Sequence, residues 1–272
     1  MGSPDDDPLR FPFGENWRRF LATVDERAIA EAEASLRQSL RVDSLAGRSF
    51  LDLGSGSGLF SLAAWRLGAT VVSVDLDPQS VACTGELRKR FAAGVDRWSI
   101  TRGSILDQSL LQSLGLFDVV YSWGVLHHTG AMWQALDNAS RCTRIDGKLF
   151  VAIYNDQGRA SRRWKRVKRW YNRLPTGWKW LVWGPCLIRL WGPTMVRDLC
   201  RFKPGATWNS YRGHRGMSAW HDVIDWVGGY PFEVARPEQV FQFLSDRGFR
   251  LLGLKTCGGG LGCNEFVLAR EG

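Results

Sequence analysis

A glycine-rich turn is the clearest chemical signal in the chain. Residues 50–58 have the sequence FLDLGSGSG, which places glycines at positions 54, 56 and 58. The segment follows an apolar run typical of a buried strand and precedes a helical pattern. Glycines allow tight turns and let a ligand lie directly against the backbone. Because ligands of open α/β sheets bind at the carboxyl ends of the strands, the turn predicts a site for a nucleoside-type cofactor.

Two carboxylates accompany this turn. Asp75 ends the next strand-like segment, where a carboxylate can accept hydrogen bonds from both hydroxyls of a ribose. Asp52 comes two residues before Gly54, and a negative charge there attracts a cation and repels phosphates. The GxGxG spacing also departs from the GxGxxG fingerprint of nicotinamide dinucleotides. We therefore expect a cationic nucleoside and disfavour a nicotinamide enzyme.

The turn and the motifs after it resemble those of class I S-adenosylmethionine-dependent methyltransferases, in particular the branch that methylates polyprenyl quinols and other small molecules. The matching segments are GSILD at 103–107, FDVVYSWGVLHH at 117–128 and DGKLFVA at 146–152. The resemblance covers about residues 45–155 and 236–270. It implies the fold and the cofactor S-adenosyl-L-methionine, and it says little about the methyl acceptor.

The resemblance also implies a set of cofactor contacts. The methionine end would lie beside the turn, the ribose beside Asp75, the adenine beside the loop after the third strand, and the methyl group beside Trp123 and Gly124. The implied contact residues are Asp52, Gly54, Ser55, Gly56, Gly58, Asp75, Ser104, Ile105 and Trp123. Many family members have an acid where this chain has Ser104, so Asp107 or a backbone amide is the alternative partner for adenine.

Four residues are candidates for the catalytic chemistry. A base is needed only when the acceptor is a protonated hydroxyl or amine. His127 and Tyr154 follow the fourth and fifth strands on the rim of the cofactor cleft. His221 and Asp225 are four residues apart, so on a helix they share a face and form either a histidine–carboxylate base or a surface pair. No cluster of His, Cys and acidic residues has metal-ligand spacing, so we predict no metal site.

A basic, tryptophan-rich block interrupts the motifs. Residues 157–216 contain 15 Lys or Arg, one acid and seven of the 14 tryptophans, so the block carries +14 and the rest of the chain −5. We favour a helical lid over the acceptor, with a break at Gly184-Pro185. An interfacial membrane helix, an RNA-binding surface and a docking surface for an acidic protein remain open alternatives.

The alternation of strand-like and helical patterns predicts an α/β fold. We expect a doubly wound, mostly parallel seven-stranded sheet with a C-terminal antiparallel hairpin. A single helix is predicted over 16–39. The predicted divisions are an N-terminal helical cap at 1–44, the cofactor-binding core at 45–156, the lid at 157–235, and a helix and hairpin at 236–272 that complete the core.

The expected function is transfer of a methyl group to an oxygen or nitrogen acceptor, most simply on an apolar or amphipathic small molecule. Methylation of a protein amine or of RNA, and a non-catalytic binding module, are the alternatives. The acidic start, the absence of an 18-residue apolar run and the scattered cysteines predict a cytoplasmic protein with reduced thiols, with peripheral membrane contact as an open possibility.

Overall fold

One seven-stranded sheet organises the chain. In the computed structural model, residues 5, 7–22, 24–94, 96–209 and 219–272 are described. Strands β1 to β7 span Ser49–Leu53, Thr70–Asp75, Trp98–Arg102, Phe117–Trp123, Thr143–Tyr154, Phe249–Lys255 and Cys263–Arg270. Their order in the sheet is β3-β2-β1-β4-β5-β7-β6. Strands β1 to β5 are parallel, and β7 pairs antiparallel with both β5 and β6. The predicted fold class is confirmed.

Within the described residues, ten α-helices with defined bounds pack on the sheet or lie in the predicted lid segment. Helices α1 to α10 span Gly14–Leu21, Glu26–Leu40, Leu59–Arg66, Pro78–Phe91, Gln108–Leu114, Met132–Arg141, Arg159–Arg173, Trp180–Cys200, Ala219–Gly228 and Pro237–Ser245. Local sequence explains several starts. Asp77 caps α4 by accepting from the Gln79 N–H, and Asp107 caps α5 in the same way. A proline opens both α4 and α10.

Two predictions about helix boundaries are wrong. The single helix expected over 16–39 is two helices, because Asp25 adopts an extended conformation and its side chain accepts from the Ala28 N–H at the start of α2. The break expected at Gly184-Pro185 is absent, and α8 continues through both Pro185 and Pro193. Pro185 and Leu181 are both exposed, so the carbonyl that loses its hydrogen bond to the proline lies on the solvent side.

The core has three parts, and the third belongs to the lid. One face of the sheet packs against α5, α6 and α10, and the other against α2, α3 and α4. The lid helices α7, α8 and α9 share a separate cluster with the N-terminal segment. Its buried members are Phe11, Trp164, Tyr171, Cys186, Trp191, Val223, Val227 and Phe232. This third cluster lies over the carboxyl ends of β4 and β5, since Tyr154 packs against it.

Candidate cofactor and acceptor site

The turn after β1 requires glycine for two reasons. Gly54, Gly56 and Gly58 have φ values of 84°, 56° and 81°, in the left-handed region that other residues rarely adopt. A Cβ on Gly54 would lie 2.3 Å from Val125 Cγ2, and a Cβ on Gly56 would lie 2.8 Å from Trp17 Cε2. The backbone of the turn therefore makes direct contact with both side chains.

Asp75 holds the turn and retains capacity for a ligand. Its Oδ2 accepts from the Gly56 N–H and its Oδ1 from the Asp77 N–H, each at 2.9 Å. Burial raises the pKa of this carboxyl to about 6. A carboxylate can accept about four hydrogen bonds. The Leu76 backbone also hydrogen-bonds this carboxyl group. The position left over suits a ribose hydroxyl, which is the role predicted from its place after β2.

Asp52 points into the protein instead of toward the cleft. Its side chain is 2% exposed and accepts from the Ser61 hydroxyl of α3 at 2.5 Å. Ser61 in turn bonds Ser73 at 2.6 Å. Burial raises the pKa of Asp52 to about 7, and the Ser61 hydrogen bond opposes that rise. The carboxylate braces β1 against α3, and its contact with the methionine end stays a prediction.

Ser55 is also turned away from the cleft. Its hydroxyl lies 2.9 Å from Thr84 Oγ1 of α4, and the residue is buried. Only its backbone is left for a ligand. The two side chains that flank the first glycine therefore fix the turn from behind, and the glycines themselves form its front.

The loop after β3 contains the predicted adenine contacts Ser104 and Ile105 and the alternative Asp107, and each is hydrogen-bonded within the protein. Ser104 accepts from the Leu106 N–H at 3.0 Å, and the Ile105 carbonyl accepts from the Asn138 side chain at 2.8 Å. Asp107, the alternative partner, caps α5 by accepting from the Ser109 and Leu110 N–H groups. Hydrogen bonding to Ser109 lowers the pKa of Asp107. Its carboxylate is engaged at the helix start, so Ser104 and Ile105 remain the predicted adenine contacts.

The end of β4 leaves open space beside the backbone. Gly124 has a φ of 77°, and a Cβ built on it would have no described atom within 4 Å. Trp123, which precedes it, is 47% exposed and donates its indole N–H to Glu265 at 3.2 Å. A ligand can therefore approach the chain closely at Gly124, while Trp123 lies against β7.

His127 presents a buried ring nitrogen without a partner among the described residues. The residue is fully buried, and its Nδ1 accepts from the Tyr154 N–H at 3.3 Å. Burial lowers the pKa of His127 well below its usual value, so the ring is neutral. A hydrogen bond between the ring and the Ala152 backbone partly opposes this lowering of the pKa. Nε2 has no hydrogen-bond partner among the described residues, and the ring lies 3.8 Å from that of Tyr154.

The neighbouring histidine is structural. His128 bonds the Pro231 carbonyl through Nδ1 at 2.7 Å, and its ring lies 4.9 Å from that of Phe13. Burial lowers the pKa of His128 to about 3. Both histidines are therefore neutral, and only His127 offers an unused polar atom.

Lys168 is a buried amine that the sequence analysis did not single out. It lies on α7 with no exposed surface, and its ammonium group donates to the Trp226 carbonyl. The Nζ atom is 4.4 Å from the centroid of the Trp226 ring, 4.7 Å from that of Phe232 and 5.9 Å from that of Tyr154. Burial lowers the pKa of Lys168 to about 7, against the opposing charge of Asp225. The signal in the sequence was the helical spacing of Trp164, Lys168 and Tyr171, which share the buried face of α7.

The predicted pair on α9 is only partly described. Residues 219–228 form the expected helix, but the side chain of His221 lies outside the described part of the chain. Asp225 accepts from the Asn16 side chain of α1 and lies close enough to oppose the lowered pKa of Lys168. The His221–Asp225 base therefore stays a prediction, and the structure adds Asn16 and Lys168 as neighbours of Asp225.

The N-terminal segment closes the cleft from one end to the other. Arg10 donates to the carbonyls of His128 and Thr129 at 2.8 and 3.1 Å. The Gly14 N–H donates to Asp77 at 2.8 Å, and Trp17 contacts Gly56. The segment thus contacts both the glycine turn after β1 and the loop of His128 and Thr129 after β4. No group of residues suited to a metal ion occurs among the described residues.

A family model described as a methyltransferase domain matches residues 51–151. Among curated proteins, the chain is 32% identical to a ubiquinone biosynthesis O-methyltransferase of Xanthomonas oryzae pv. oryzae over 117 residues, 43% of this chain and 47% of that protein. The match to its counterpart in Rhizobium rhizogenes is 29% over 111 residues, 41% and 43% of the two chains. The matched stretch spans less than half the length of these relatives.

Solved structures share the fold across most of the chain. Magnesium protoporphyrin IX methyltransferase from Synechocystis with bound SAH superposes with a TM-score of 0.55 at 13% identity, covering 94% of each chain. PKMT2 from Rickettsia typhi in complex with AdoHcy gives a TM-score of 0.58 at 13% identity, covering 88% of this chain and 52% of that one. At these identities the likeness concerns the fold.

Proposed function

We propose that this chain, whose residues 51–151 form a class I S-adenosylmethionine-dependent methyltransferase domain, transfers a methyl group to an oxygen or nitrogen of an apolar or amphipathic small molecule. One observation carries the choice of acceptor. The Tyr154 ring packs on the His127 ring, and the rings of Tyr154, Trp226 and Phe232 lie around the Lys168 amine at the end of β5; we name this aromatic cluster the acceptor chamber. Such apolar surroundings suit an apolar or amphipathic acceptor.

The residues of the cleft suit S-adenosyl-L-methionine. Asp75 has acceptor capacity for the ribose, and the open side of Gly124 allows close approach at the end of β4. The left-handed glycines at 54, 56 and 58 bend the backbone beside the predicted place of the methionine end. When bound, the cofactor supplies a methyl group already activated on a sulfonium sulfur.

The protein's part in the reaction is alignment and removal of one proton. His127 donates from Nε2 to the acceptor atom and so orients it toward the end of β4. A hydroxyl or ammonium acceptor must lose a proton, and Lys168, when neutral, receives it on Nζ. A pKa of about 7 suits a general base at neutral pH. The rings of Trp226 and Phe232 then stabilise the ammonium formed, through cation–π contacts.

The names of the relatives support a small-molecule acceptor. The curated relatives are named as ubiquinone biosynthesis O-methyltransferases, and the structural neighbour with the widest coverage given above is a magnesium protoporphyrin IX methyltransferase. The molecules in these names, ubiquinone and magnesium protoporphyrin IX, are flat or ring-containing compounds of the kind that aromatic side chains bind.

Transfer of labelled methyl groups tests the proposal. The purified chain is incubated with methyl-labelled S-adenosylmethionine and a bacterial extract separated into lipid, small-metabolite, protein and RNA fractions. We expect label in the lipid or small-metabolite fraction, and a loss of at least about tenfold with His127→Phe, since one donor in a closed site contributes that much. Label confined to protein or RNA would overturn the choice of acceptor, and no label in any fraction would overturn the activity.

A further inference from the structure

The outward side of helix α8 carries an apolar stripe that nothing in the described chain covers. Leu181, Ile188, Met195 and Leu199 recur at helical spacing and are 44%, 72%, 42% and 64% exposed. The stripe extends over about 27 Å at 1.5 Å per residue, and Phe202, 93% exposed, follows its end. Soluble proteins rarely expose a continuous apolar surface of this kind without a binding role.

The opposite side of α8 is apolar as well. Cys186 and Trp191 are buried in the lid cluster, and Trp183 and Leu187 pack against it. A helix that is apolar on both sides needs an apolar environment on both sides. The lid core supplies one of them. None of the helices in the described ranges has the length and apolar character needed to cross a bilayer. The outward side of α8 therefore lies along an apolar surface.

Positive charge surrounds this stripe. Residues 157–209 contain 13 Lys or Arg and one acid, Asp198. Asp198 is 5% exposed and accepts from the Thr207 N–H and hydroxyl. Arg189 and Arg201 are exposed beside Ile188 and Phe202. Within the described residues, the only ion pair formed by these 13 side chains is that of Arg197 with Asp198 at 3.8 Å.

We propose that the outward face of α8, with Trp178 and Phe202 at its two ends, docks on the surface of a membrane containing anionic lipids. A bilayer interface offers both required environments, since acyl chains accept the apolar stripe and anionic headgroups pair with the flanking arginines. Trp178, 60% exposed, suits the headgroup region. A second copy of the chain matches the stripe but not the charge, because it brings arginines against arginines.

The membrane surface does not depend on the proposed methyl transfer. The same lid has the chamber of His127 on its inner side, so docking would place the acceptor site close to the bilayer. A chain that binds vesicles without methylating anything would leave the docking proposal intact.

Flotation of the full chain with vesicles tests this proposal. Phosphatidylcholine vesicles are compared with vesicles containing about 30% phosphatidylglycerol, a composition that gives the surface a negative potential. We expect the chain to float with the anionic vesicles. Ile188→Ser with Leu199→Ser, and separately Arg189→Gln with Arg201→Gln, should each lower the bound fraction at least about tenfold. These side chains are exposed, so the variants should fold, and circular dichroism verifies this.

A matched control uses exposed apolar residues of the core domain. Leu116→Ser with Ile145→Ser, 58% and 59% exposed in the wild-type chain, should float like the wild type. Three results would overturn the proposal: no flotation with anionic vesicles, equal flotation of the stripe variant and the wild type, or a dimer by sedimentation equilibrium that the stripe variant abolishes. Binding to single-stranded RNA that outcompetes the vesicles would assign the surface to RNA instead.

Discussion

Single residues show how burial adapts ordinary side chains to the site. Asp52, Asp75, His127 and Lys168 all have pKa values shifted toward the neutral form, and burial is the first cause in each case. Two of them brace the cofactor turn and two line the acceptor chamber. Burial thus brings the pKa values of Asp52, Asp75 and Lys168 to about 6 or 7, close to neutral pH.

The Asp52→Asn variant should reveal the cost of burying that carboxylate. The pKa of Asp52 is raised in the folded state to about 7, so its contribution to stability is full at low pH and is lost as the pH rises through 7. Asparagine still accepts from Ser61 and has no such loss. Between pH 5 and pH 8, the free energy of unfolding of the wild type should therefore fall by about 3 kcal/mol relative to that of the variant.

Urea unfolding at the two pH values measures this fall. The exposed Glu238→Gln variant is the control, and its difference from wild type should be the same at both pH values. A constant difference between Asp52→Asn and wild type would show that Asp52 is not a buried titrating group.

The Lys168→Met variant should separate stability from activity. The pKa of Lys168 is lowered in the folded state to about 7, so the wild-type chain gains stability as the pH rises from 7 toward 10. Methionine removes that dependence, and the variant should be the more stable protein at pH 7. Methyl transfer should nevertheless fall about a hundredfold, the usual contribution of a positioned base.

The pH profile makes the Lys168 prediction specific. In the wild type, the rate of labelled methyl transfer should rise through pH 7, and this rise should be missing in Lys168→Met. Lys165→Met, which changes an exposed neighbour on the same helix, is the control. A Lys168→Met variant with an unchanged rate and profile would show that Lys168 only packs.

Helices α1, α7 and α9 cover the proposed binding sites. Helix α1 lies over the cofactor turn through Trp17, and α7 and α9 enclose the chamber through Lys168 and Trp226. These elements come from the N-terminal segment and the lid, outside the residues matched by the methyltransferase-domain model. The family model therefore matches the core of the fold and not its cover.

Coupling between α1 and the turn is measurable by a double-mutant cycle on Gly56→Ala and Trp17→Ala. The Cβ added at Gly56 meets the indole at 2.8 Å and also strains a backbone with φ of 56°. We expect Gly56→Ala to cost about 2–3 kcal/mol in the wild type and about 1 kcal/mol in the Trp17→Ala background, where only the backbone term remains. Urea unfolding of the four proteins gives both values, and equal costs in the two backgrounds would contradict the packing of Trp17 on the turn.

The sequence predicted the sheet well because its strands carry local signals. The FLDL and FDVV runs are mostly apolar, and glycines follow each run closely along the chain. Boundaries within the helical parts were harder. The Asp25 cap was present as a signal in the sequence, but apolar spacing continued through it. Pro185 normally ends a helix, and here its exposed position lets α8 continue.

The acceptor chamber was predicted only in part because its residues meet through tertiary packing. His127 and Tyr154 were found from their places after β4 and β5. Lys168 was hidden in a basic block, where a lysine is normally solvated, and only its helical phase with Trp164 distinguishes it. The orientation of Asp52 toward Ser61 depends on how α3 packs, which no local pattern specifies.

The whole molecule combines a mildly acidic scaffold with a strongly basic lid. The lid closes the chamber on its inner side and exposes the α8 stripe on its outer side. The lid would therefore both bind the acceptor and contact the membrane that contains an amphipathic acceptor. The proposed cofactor site lies beside Asp75 and the glycine turn.

Calorimetric titration with S-adenosylmethionine tests the central claim, that this cleft binds the cofactor through Asp75. The wild-type chain should bind one molecule of the cofactor. The Asp75→Ala variant should bind it at least about thirtyfold more weakly, because it loses charge-assisted hydrogen bonds. The control Asp107→Asn, which alters only the cap of α5, should bind it like the wild type. Absence of binding to the wild-type chain at millimolar cofactor, or equal affinity of Asp75→Ala and wild type, would contradict the account.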